Sequence, residues 1–273
     1  MKPGHVALVI LANVVWGFNF VAAKHGVTHF PPIFFSSLRF FIVLVFAFAF
    51  IRIVRGQMRY VLASVLSMGV LHYSLMFTAM RLADQVSSLA VVVQLFVPFS
   101  TVIAVIFLGE RIGVWRIAGL VFAFVGVMII AFDPGVFNYI EAVGLALVAA
   151  LAAAVSTVFI RSMHNVGVFN LQGWMAVISA PALLGVSWIF EDGQVEAFYT
   201  ADALAWSSIA FSAIGASLIG HGIIYYLLRR YPVTVTMPYT LLTPVLGVIF
   251  AIIFLGDTLT TRIVFGGLLT LGG

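Results

Sequence analysis

The 273-residue sequence has few charged residues, and it has no cysteine at all. Asp, Glu, Lys and Arg make up 8% of the chain, against about 25% in a typical soluble domain. A soluble fold of this length needs a charged outer surface, so the composition excludes a soluble globular enzyme. The absence of cysteine excludes disulfides and thiolate metal sites. With 63% hydrophobic residues, the chain is also too apolar to be disordered.

Long apolar runs recur along the chain, separated by short breaks that contain turn residues. Because a transmembrane helix needs roughly 20 apolar residues, these runs predict an all-α, polytopic membrane protein. Ten such helices would use about 200 residues, which leaves no room for a separate soluble domain. The last run is too short to cross a bilayer, so we expect the tenth helix to be truncated at Gly273. The predicted spans are 4–23, 31–51, 59–79, 86–107, 113–132, 142–160, 168–190, 203–227, 233–255 and 261–273.

Basic residues lie unevenly at the two ends of these spans. With the N-terminus placed in the cytoplasm, nine Lys and Arg residues fall at inner ends and three fall at outer ends. Since Lys and Arg favour cytoplasmic loops, this split predicts that both termini are cytoplasmic. The basic residues are scattered rather than clustered, so a nucleic-acid partner is not expected. The inner residues are Lys2, Arg52, Arg55, Arg59, Arg111, Arg116, Arg161, Arg229 and Arg230, and the outer ones are Lys24, Arg81 and Arg262.

The chain also repeats itself at a shift of 147 residues. Phe107-Leu108-Gly109-Glu110 matches Phe254-Leu255-Gly256-Asp257, and His72 meets His221 at a slightly different shift. An odd number of spans in each half would place the halves upside down relative to one another, which is a transporter architecture. We therefore predict two inverted five-helix repeats, residues 1–135 and 136–273, around a central cavity near the membrane midplane.

Three motifs give the chain a resemblance to a known family. The segment Val15–Lys24, VWGFNFVAAK, looks like the opening motif of the EamA-type branch of the drug/metabolite transporter superfamily. Pro31-Pro32 followed by Leu38-Arg39-Phe40, and the run Phe107-Leu108-Gly109-Glu110, resemble further signatures of that family. The nearest branch is the amino-acid exporters, including the YddG-like ones that expel aromatic and other amino acids. The resemblance implies a ten-helix exporter in the bacterial inner membrane.

Polar and aromatic residues share helix faces within several of the spans. Because polar groups in a bilayer are costly, they usually face the protein interior or a water-filled cavity. We expect amides and hydroxyls to bind the amine and carboxylate of an amino acid, while aromatic rings receive its side chain. The alternative for each polar residue is a hydrogen bond that only joins two helices. The candidate substrate-binding residues are Asn13, Trp16, Asn19, His72, Tyr73, Met76, Gln94, Trp174, Ser217, His221, Tyr225 and Tyr239.

A second group of residues is expected to support or gate the pathway rather than to bind substrate. Arg39 is the only Lys or Arg clearly within a span; it could attract a carboxylate, but we favour a structural or gating role. Three prolines remove helix hydrogen bonds and are candidate hinges, and two acidic residues are expected to cap the helices that follow them. These are Pro98, Pro238 and Pro244, and Glu110 and Asp257, respectively.

No Asp or Glu lies in the middle of a predicted span, although a buried carboxylate is the usual proton carrier of a pump. Facilitative export by alternating access is therefore favoured, with proton transfer through His72 and His221 as the alternative. No cofactor or metal site is expected. The expected partners are a small-molecule substrate and the lipid bilayer, and the oligomeric state is left open.

Other function classes differ in the motifs that they need. Intramembrane aspartyl proteases need two mid-span Asp residues and metalloproteases need a His-Glu-x-x-His face, and the sequence has neither. An enzyme is therefore not expected. A channel would show a continuous pore rather than a cavity that opens to one side at a time. Within the transporter class, efflux of drugs and toxic compounds is the alternative to amino-acid export.

Overall fold

The computed structural model describes residues 1–131 and 138–272, and the regular elements in that part of the chain are helices. The predicted boundary between repeats at residues 135 and 136, and the predicted end at Gly273, lie outside the described residues. The helices are α1 (Pro3–His29), α2 (Pro32–Ala47), α3 (Met58–Leu82), α4 (Val86–Leu108), α5 (Val114–Ala131), α6 (Ile140–Ser162), α7 (Val168–Phe190), α8 (Gln194–Thr200), α9 (Ala203–Leu228), α10 (Val233–Leu255) and α11 (Thr261–Gly272).

Eight of these helices are long and apolar enough to cross a membrane. They are α1 to α4, α6, α7, α9 and α10, with α2 continued by a 3₁₀ turn to Phe50. Two further apolar helices, α5 and α11, are shorter, and α8 is a short helix between α7 and α9. The predicted all-helical, multi-pass membrane fold is thus confirmed.

Helix α1 continues to His29, whereas its apolar run predicts an end near residue 23. The reason lies in Lys24, whose Nζ atom donates to the carbonyl oxygens of Met80 at 2.9 Å and Ala83 at 2.6 Å. The last carbonyl groups of a helix have no partner within it, and a cation there also meets the negative end of the helix dipole. Lys24 therefore joins α1 to the end of α3, and its charge does not have to terminate the span in water.

The helices pack in a regular set of neighbours. Helix α2 lies against α7 and α5 against α11, while α1 packs on α9 and α10, and α6 packs on α3 and α4. Glycines allow the close approach of α5 and α11, because a Cβ atom at Gly266 would lie 2.5 Å from the carbonyl oxygen of Gly126. Small residues have this role in membrane helices, where packing rather than the hydrophobic effect holds helices together.

Two of the spans contain a π-helical segment near their middle. In α3 it covers Val65–His72, and in α9 it covers Ser212–His221, so each segment ends on a histidine. A π segment widens the helix and turns the side chains that follow it, and such segments are frequent at functional sites. The sequence pattern predicts both spans but not their change of helix type.

Two other spans contain 3₁₀ segments next to the predicted prolines. In α4 the segment Val93–Leu95 comes just before Pro98. In α10 the segment Met237–Leu241 includes Pro238 and comes just before Pro244. A proline has no N–H to donate, so the carbonyl group four residues earlier loses its helical partner and the helix is locally irregular. Whether these prolines act as hinges stays a prediction.

Candidate functional site

A cavity of about 120 Å³, which we call the central cavity, lies between α1, α2, α3, α4, α6, α9 and α10. Its wall is mainly apolar and aromatic with a few polar groups, which is the usual composition of a small-molecule site. The predicted residues that line it are Trp16, Asn19, His72, Tyr73, Met76, Gln94 and His221. The residues that sequence reasoning missed or assigned elsewhere are Phe20, Arg39, Met68, Phe77, Met80, Val93, Phe96, Ala153, Ala216 and Thr243.

His221 connects three helices on one side of the cavity. Its Nδ1 atom donates to the carbonyl oxygen of Ala216 at 2.7 Å, so its Nε2 atom is free to accept from the hydroxyl of Tyr73 at 3.0 Å. Trp16 donates from Nε1 to the same carbonyl at 3.1 Å, and its ring lies 4.7 Å from the His221 ring. Gly220 makes this contact possible, because a Cβ atom there would lie 2.5 Å from Trp16 Nε1.

His72 and Asn19 also line the cavity and also have partners. The Nδ1 atom of His72 donates to the carbonyl oxygen of Ala149 on α6 at 2.8 Å. The amide oxygen of Asn19 accepts from the hydroxyl of Ser212 on α9 at 2.6 Å. Each of these bonds joins the two halves of the chain at the wall of the cavity, so the wall is held by polar contacts as well as by packing.

Arg39 lies in the wall of the cavity, and its side chain is 0% exposed. Its guanidinium carbon is 3.6 Å from the centre of the Tyr73 ring and 4.6 Å from that of Phe40, which is cation–π geometry. The Nε and Nη2 atoms are buried and have no hydrogen-bond partner among the described residues. The side chain therefore does not reach a membrane surface, and part of its hydrogen-bonding capacity is unused.

Gln94 is the second wall residue with an unused polar atom. Its side chain is buried, and its Oε1 atom has no partner within the described ranges 1–131 and 138–272. Buried polar atoms are nearly always hydrogen-bonded, so an orphaned one needs an explanation. Two residues of the cavity wall thus have unpaired buried atoms, a cationic donor in Arg39 and a neutral acceptor in Gln94.

Three of the predicted binding residues lie elsewhere. Asn13 donates to the carbonyl oxygens of Val9 at 2.7 Å and Tyr239 at 3.1 Å, so it joins α1 to α10. Tyr239 is 42% exposed and does not line the central cavity. Trp174 donates from Nε1 to the carbonyl oxygen of Arg52, beyond the end of α2. Asn13 and Trp174 thus make the contacts to other segments that were the alternative for a polar residue in a span, and a role of these three residues in binding substrate stays a prediction.

Ser217 and Tyr225 line a separate space of about 10 Å³ on the far side of His221. Ser217 donates to the carbonyl oxygen of Ser212, and the Tyr225 ring is 5.7 Å from the His221 ring. Ser217, Tyr225 and His221 therefore lie around one small space, and of the three only His221 also lines the central cavity. Tyr225 packs against the histidine ring, and Ser217 bonds the backbone of its own helix.

Glu110 and Asp257 cap helices, although not the helices that follow them. The Glu110 carboxylate accepts from the backbone N–H groups of Val233 at 3.2 Å and Thr234 at 3.1 Å, at the start of α10. The Asp257 carboxylate accepts from the N–H and hydroxyl groups of Ser87 at 2.9 and 2.7 Å, at the start of α4. We call these two contacts the long-range caps. Since each helix ends beside the start of the other, α4 and α10 are antiparallel.

Helices α2 and α7 are joined in a similar way at both ends. The carboxylate of Glu191, just after α7, accepts from the N–H groups of Ile33 at 2.8 Å and Phe34 at 3.0 Å. The amide of Asn170, at the start of α7, pairs with both backbone groups of Arg52. This pair of helices is therefore antiparallel too. Sequence reasoning missed both contacts, because the partners are far apart in the chain.

Comparison with known proteins gives matches along the whole chain. The model of the EamA-like transporter family matches residues 4–132 and 140–273. A probable amino-acid metabolite efflux pump of Salmonella typhimurium is 29% identical over 280 residues, which covers 100% of this chain and 93% of that protein. An uncharacterized transporter of Archaeoglobus fulgidus is 30% identical, covering 97% and 96%. One solved crystal structure, at 17% identity, has a TM-score of 0.71 over 100% of this chain and 95% of that one, which is similarity of fold alone.

Proposed function

The chain belongs to the EamA-like transporter family, and we propose that this efflux transporter exports amino acids as zwitterions through its central cavity. The observation that supports this substrate class is the pair of unused polar groups in the wall, a guanidinium and an amide oxygen. An amino acid presents a carboxylate to the first and an ammonium group to the second. The name of the Salmonella relative, a probable amino-acid metabolite efflux pump, agrees with this substrate class.

Arg39 is the proposed binding group for the carboxylate. A buried charge without a counter-ion is costly, and the ring of Tyr73 offsets only part of that cost. A planar guanidinium binds a carboxylate through two parallel charge-assisted hydrogen bonds. The unpaired Nε and Nη2 atoms are a geometrically suitable pair for such a fork. The substrate would then provide the negative charge that the bundle does not supply at this point.

Gln94 is the proposed binding group for the ammonium, and the rest of the wall would receive the side chain. Trp16, Phe77 and Phe96 offer aromatic surface, and Met76 and Met80 are unbranched side chains that adapt to ligands of different shape. Such a wall favours a broad set of amino acids, including aromatic ones. The space of about 120 Å³ is small beside pockets of about 300–1,000 Å³ that hold drug-sized ligands.

We also propose ten spans in two inverted repeats, residues 1–135 and 136–273. Exchanging α1 with α6, α2 with α7, α3 with α9, α4 with α10 and α5 with α11 maps every packing pair described above onto another such pair. Corresponding helices are antiparallel in the two cases where contacts at both ends are known. Two basic residues follow the same exchange of helices. Lys24 on α1 donates to a carbonyl oxygen at the end of α3, and Arg161 on α6 donates to the carbonyl oxygen of Leu228 at the end of α9.

The long-range caps suggest how the cavity opens to each side in turn. With both termini in the cytoplasm of a bacterial cell, Glu110 closes α4 on α10 at the inner face, and Asp257 does so at the outer face. Breaking one cap while keeping the other would open one face only, which is what alternating access requires. The driving force is the concentration gradient of the amino acid itself, since the described spans contain no mid-span carboxylate.

The test is efflux from proteoliposomes loaded with matched radiolabelled compounds. Phenylalanine has both charges, phenylalaninamide lacks the carboxylate, and 3-phenylpropionate lacks the ammonium group. We expect saturable efflux of phenylalanine and at least tenfold slower protein-dependent efflux of the other two, with protein-free liposomes as the control. Equal or faster efflux of phenylalaninamide would contradict the zwitterion site and support efflux of cationic drugs instead.

A further inference from the structure

A cluster of two histidines and one aspartate lies outside the central cavity, where α1 ends and α9 begins. His25 and His29 are one turn apart in the last part of α1, and Asp202 is the N-cap residue of α9. One potential ligand atom from each side chain lies within 4.8 Å of the others. We propose that these three side chains bind a divalent transition-metal ion, with Zn²⁺ as the best fit. Two imidazoles and one carboxylate, with water in the fourth position, form a common tetrahedral zinc ligand set.

The hydrogen bonds around the cluster prepare His29 and Asp202 as ligands. His29 donates from Nδ1 to the carbonyl oxygen of His25 at 3.1 Å, which leaves the lone pair of Nε2 for a metal. Metal-binding histidines are usually fixed by such a bond from the other ring nitrogen. Asp202 uses Oδ1 to accept from the N–H of Ala205 at 2.7 Å, which holds the carboxyl group in place and leaves Oδ2 unused.

His25 provides the independent indication that a ligand belongs here. Its Nε2 atom is buried and has no hydrogen-bond partner among the residues described. The two imidazole rings lie 4.6 Å apart, so two basic groups face each other without a shared partner. A metal ion would satisfy both. Ligand atoms around tetrahedral zinc are about 3.4 Å apart, so modest side-chain rotations would close the cluster.

The surroundings set the access to the site and limit its affinity. His29 and Asp202 are exposed, so an ion reaches the site from the water at this end of the bundle. Arg81 donates to the carbonyl oxygens of Val27 and Thr28 at 2.8 and 2.9 Å, and its positive charge opposes a metal ion nearby. We therefore expect weaker binding than at a buried structural zinc site. No metal site was expected from the sequence, because the histidine pair and the aspartate are far apart in the chain.

A bound ion would also affect transport, a consequence that depends on the proposed function. Both α1 and α9 contribute residues to the central cavity, and an ion held by His25, His29 and Asp202 would tie their ends together. If the cavity opens by relative movement of these helices, the bound ion would stabilise one conformation of the protein. We infer that Zn²⁺ slows efflux through the protein.

Binding is tested on the full chain in detergent, purified without a polyhistidine tag. Co²⁺ is the probe, because its visible absorption reports tetrahedral coordination, and Zn²⁺ is then titrated in as the competitor. We expect one Co²⁺ per chain, displaced by one Zn²⁺. His29→Ala and Asp202→Asn should each weaken binding at least about tenfold, since even groups that only support a ligand contribute 10- to 100-fold. Asn keeps the N-cap of α9, so Asp202→Asn separates metal binding from helix stability.

The control variant is His164→Ala, which removes an exposed histidine elsewhere and should leave Co²⁺ binding unchanged. Absence of stoichiometric binding, or equal binding by wild type and His29→Ala, would overturn the site. Efflux of phenylalanine with and without Zn²⁺ is measured separately. If Zn²⁺ slows efflux through the wild type but not through His29→Ala, the bound ion links α1 to α9 and hinders transport. Metal binding without any effect on efflux would support the metal site and contradict its effect on transport. A protein that binds the metal but moves no amino acid would reject the proposed function alone.

Discussion

At the scale of single residues, the interior of the bundle is defined by which polar atoms have partners. Asn13 uses both amide atoms in contacts between helices, and Asn19 and His72 use one polar atom each in such contacts. Arg39 and Gln94 retain atoms that the described protein groups do not satisfy. Sequence patterns detect that all five are polar residues in apolar spans, but not which of their atoms have partners. The proposed substrate site depends on that distinction, because it is built on the atoms of Arg39 and Gln94 that have none among the described residues.

Replacement of Arg39 tests the proposed carboxylate site directly. We predict that Arg39→Gln lowers phenylalanine efflux about 10- to 100-fold, because a hydrogen bond to a charged group contributes about 1.5–3 kcal/mol. Arg39→Lys should recover part of the activity, since it restores the charge but not the planar fork. Arg55→Gln, on the exposed loop between α2 and α3, is the matched control. Folding is checked by size-exclusion chromatography, and full activity of a folded Arg39→Gln variant would contradict the assignment.

The two cavity histidines provide the second residue-scale prediction. Each donates from Nδ1 to a backbone carbonyl, His72 to Ala149 and His221 to Ala216, and a glutamine amide can make a similar bond. We predict that the double variant His72→Gln/His221→Gln keeps net phenylalanine efflux within about threefold of wild type, a change of under 1 kcal/mol in the transport barrier. Efflux is measured with and without an imposed pH gradient. Efflux that follows the gradient and is lost in the double variant would instead show histidine-mediated proton coupling.

At the scale of helices, the apolar runs predict the positions of the spans to within a few residues, with α1 as the main exception. Its extension depends on Lys24, whose partners Met80 and Ala83 lie at the end of another helix, α3. The short helix α8 and the π-helical segments of α3 and α9 were also missed. Local propensity does not determine such features, because they are set by contacts between elements that are distant in the sequence.

The long-range caps allow a prediction about elements. Loss of a cap costs about 0.5–2 kcal/mol, so breaking one cap should shift the balance between the two open states about 2- to 30-fold. We predict that Glu110→Ala favours opening at the inner face and that Asp257→Ala favours opening at the outer face, because alanine removes the acceptor oxygens of the cap. Because the chain has no cysteine, Met76→Cys in the cavity wall is a unique reporter.

The measurement is the rate at which a membrane-impermeant maleimide, added outside spheroplasts, labels Cys at this reporter position. The rate should fall with Glu110→Ala and rise with Asp257→Ala, while Glu196→Ala on the exposed surface of α8 should leave it unchanged. Changes in the same direction for both cap variants would mean that the caps only stabilise the fold and do not select between faces.

At the scale of the whole molecule, the two halves are connected by contacts between residues that are far apart in the sequence. The sequence alone therefore does not show which residues pair. The repeated motif at Glu110 and Asp257 is detectable as a similarity, and it predicts two acidic residues in equivalent positions. Only the structure shows that each one caps the helix of the other, at 3.2 and 2.9 Å. Two antiparallel helices that are joined at both ends have little freedom to separate, but they can pivot. The alternating access that we propose needs a contact of this kind, which holds the bundle intact while one end opens.

The orientation of the bundle in the membrane is the last prediction, and it follows from charge. Nine basic residues at one set of helix ends and three at the other favour cytoplasmic termini, because Lys and Arg are retained on the cytoplasmic side. Two single-cysteine variants test this, His164→Cys between α6 and α7 and Thr200→Cys at the end of α8, both at exposed positions. In intact spheroplasts an impermeant maleimide should label the Thr200→Cys variant, and it should label the His164→Cys variant only after the membrane is permeabilised. The reverse pattern would invert the molecule and exchange the faces assigned to the two caps. Labelling of both variants in intact spheroplasts would mean that the charge difference does not select one orientation.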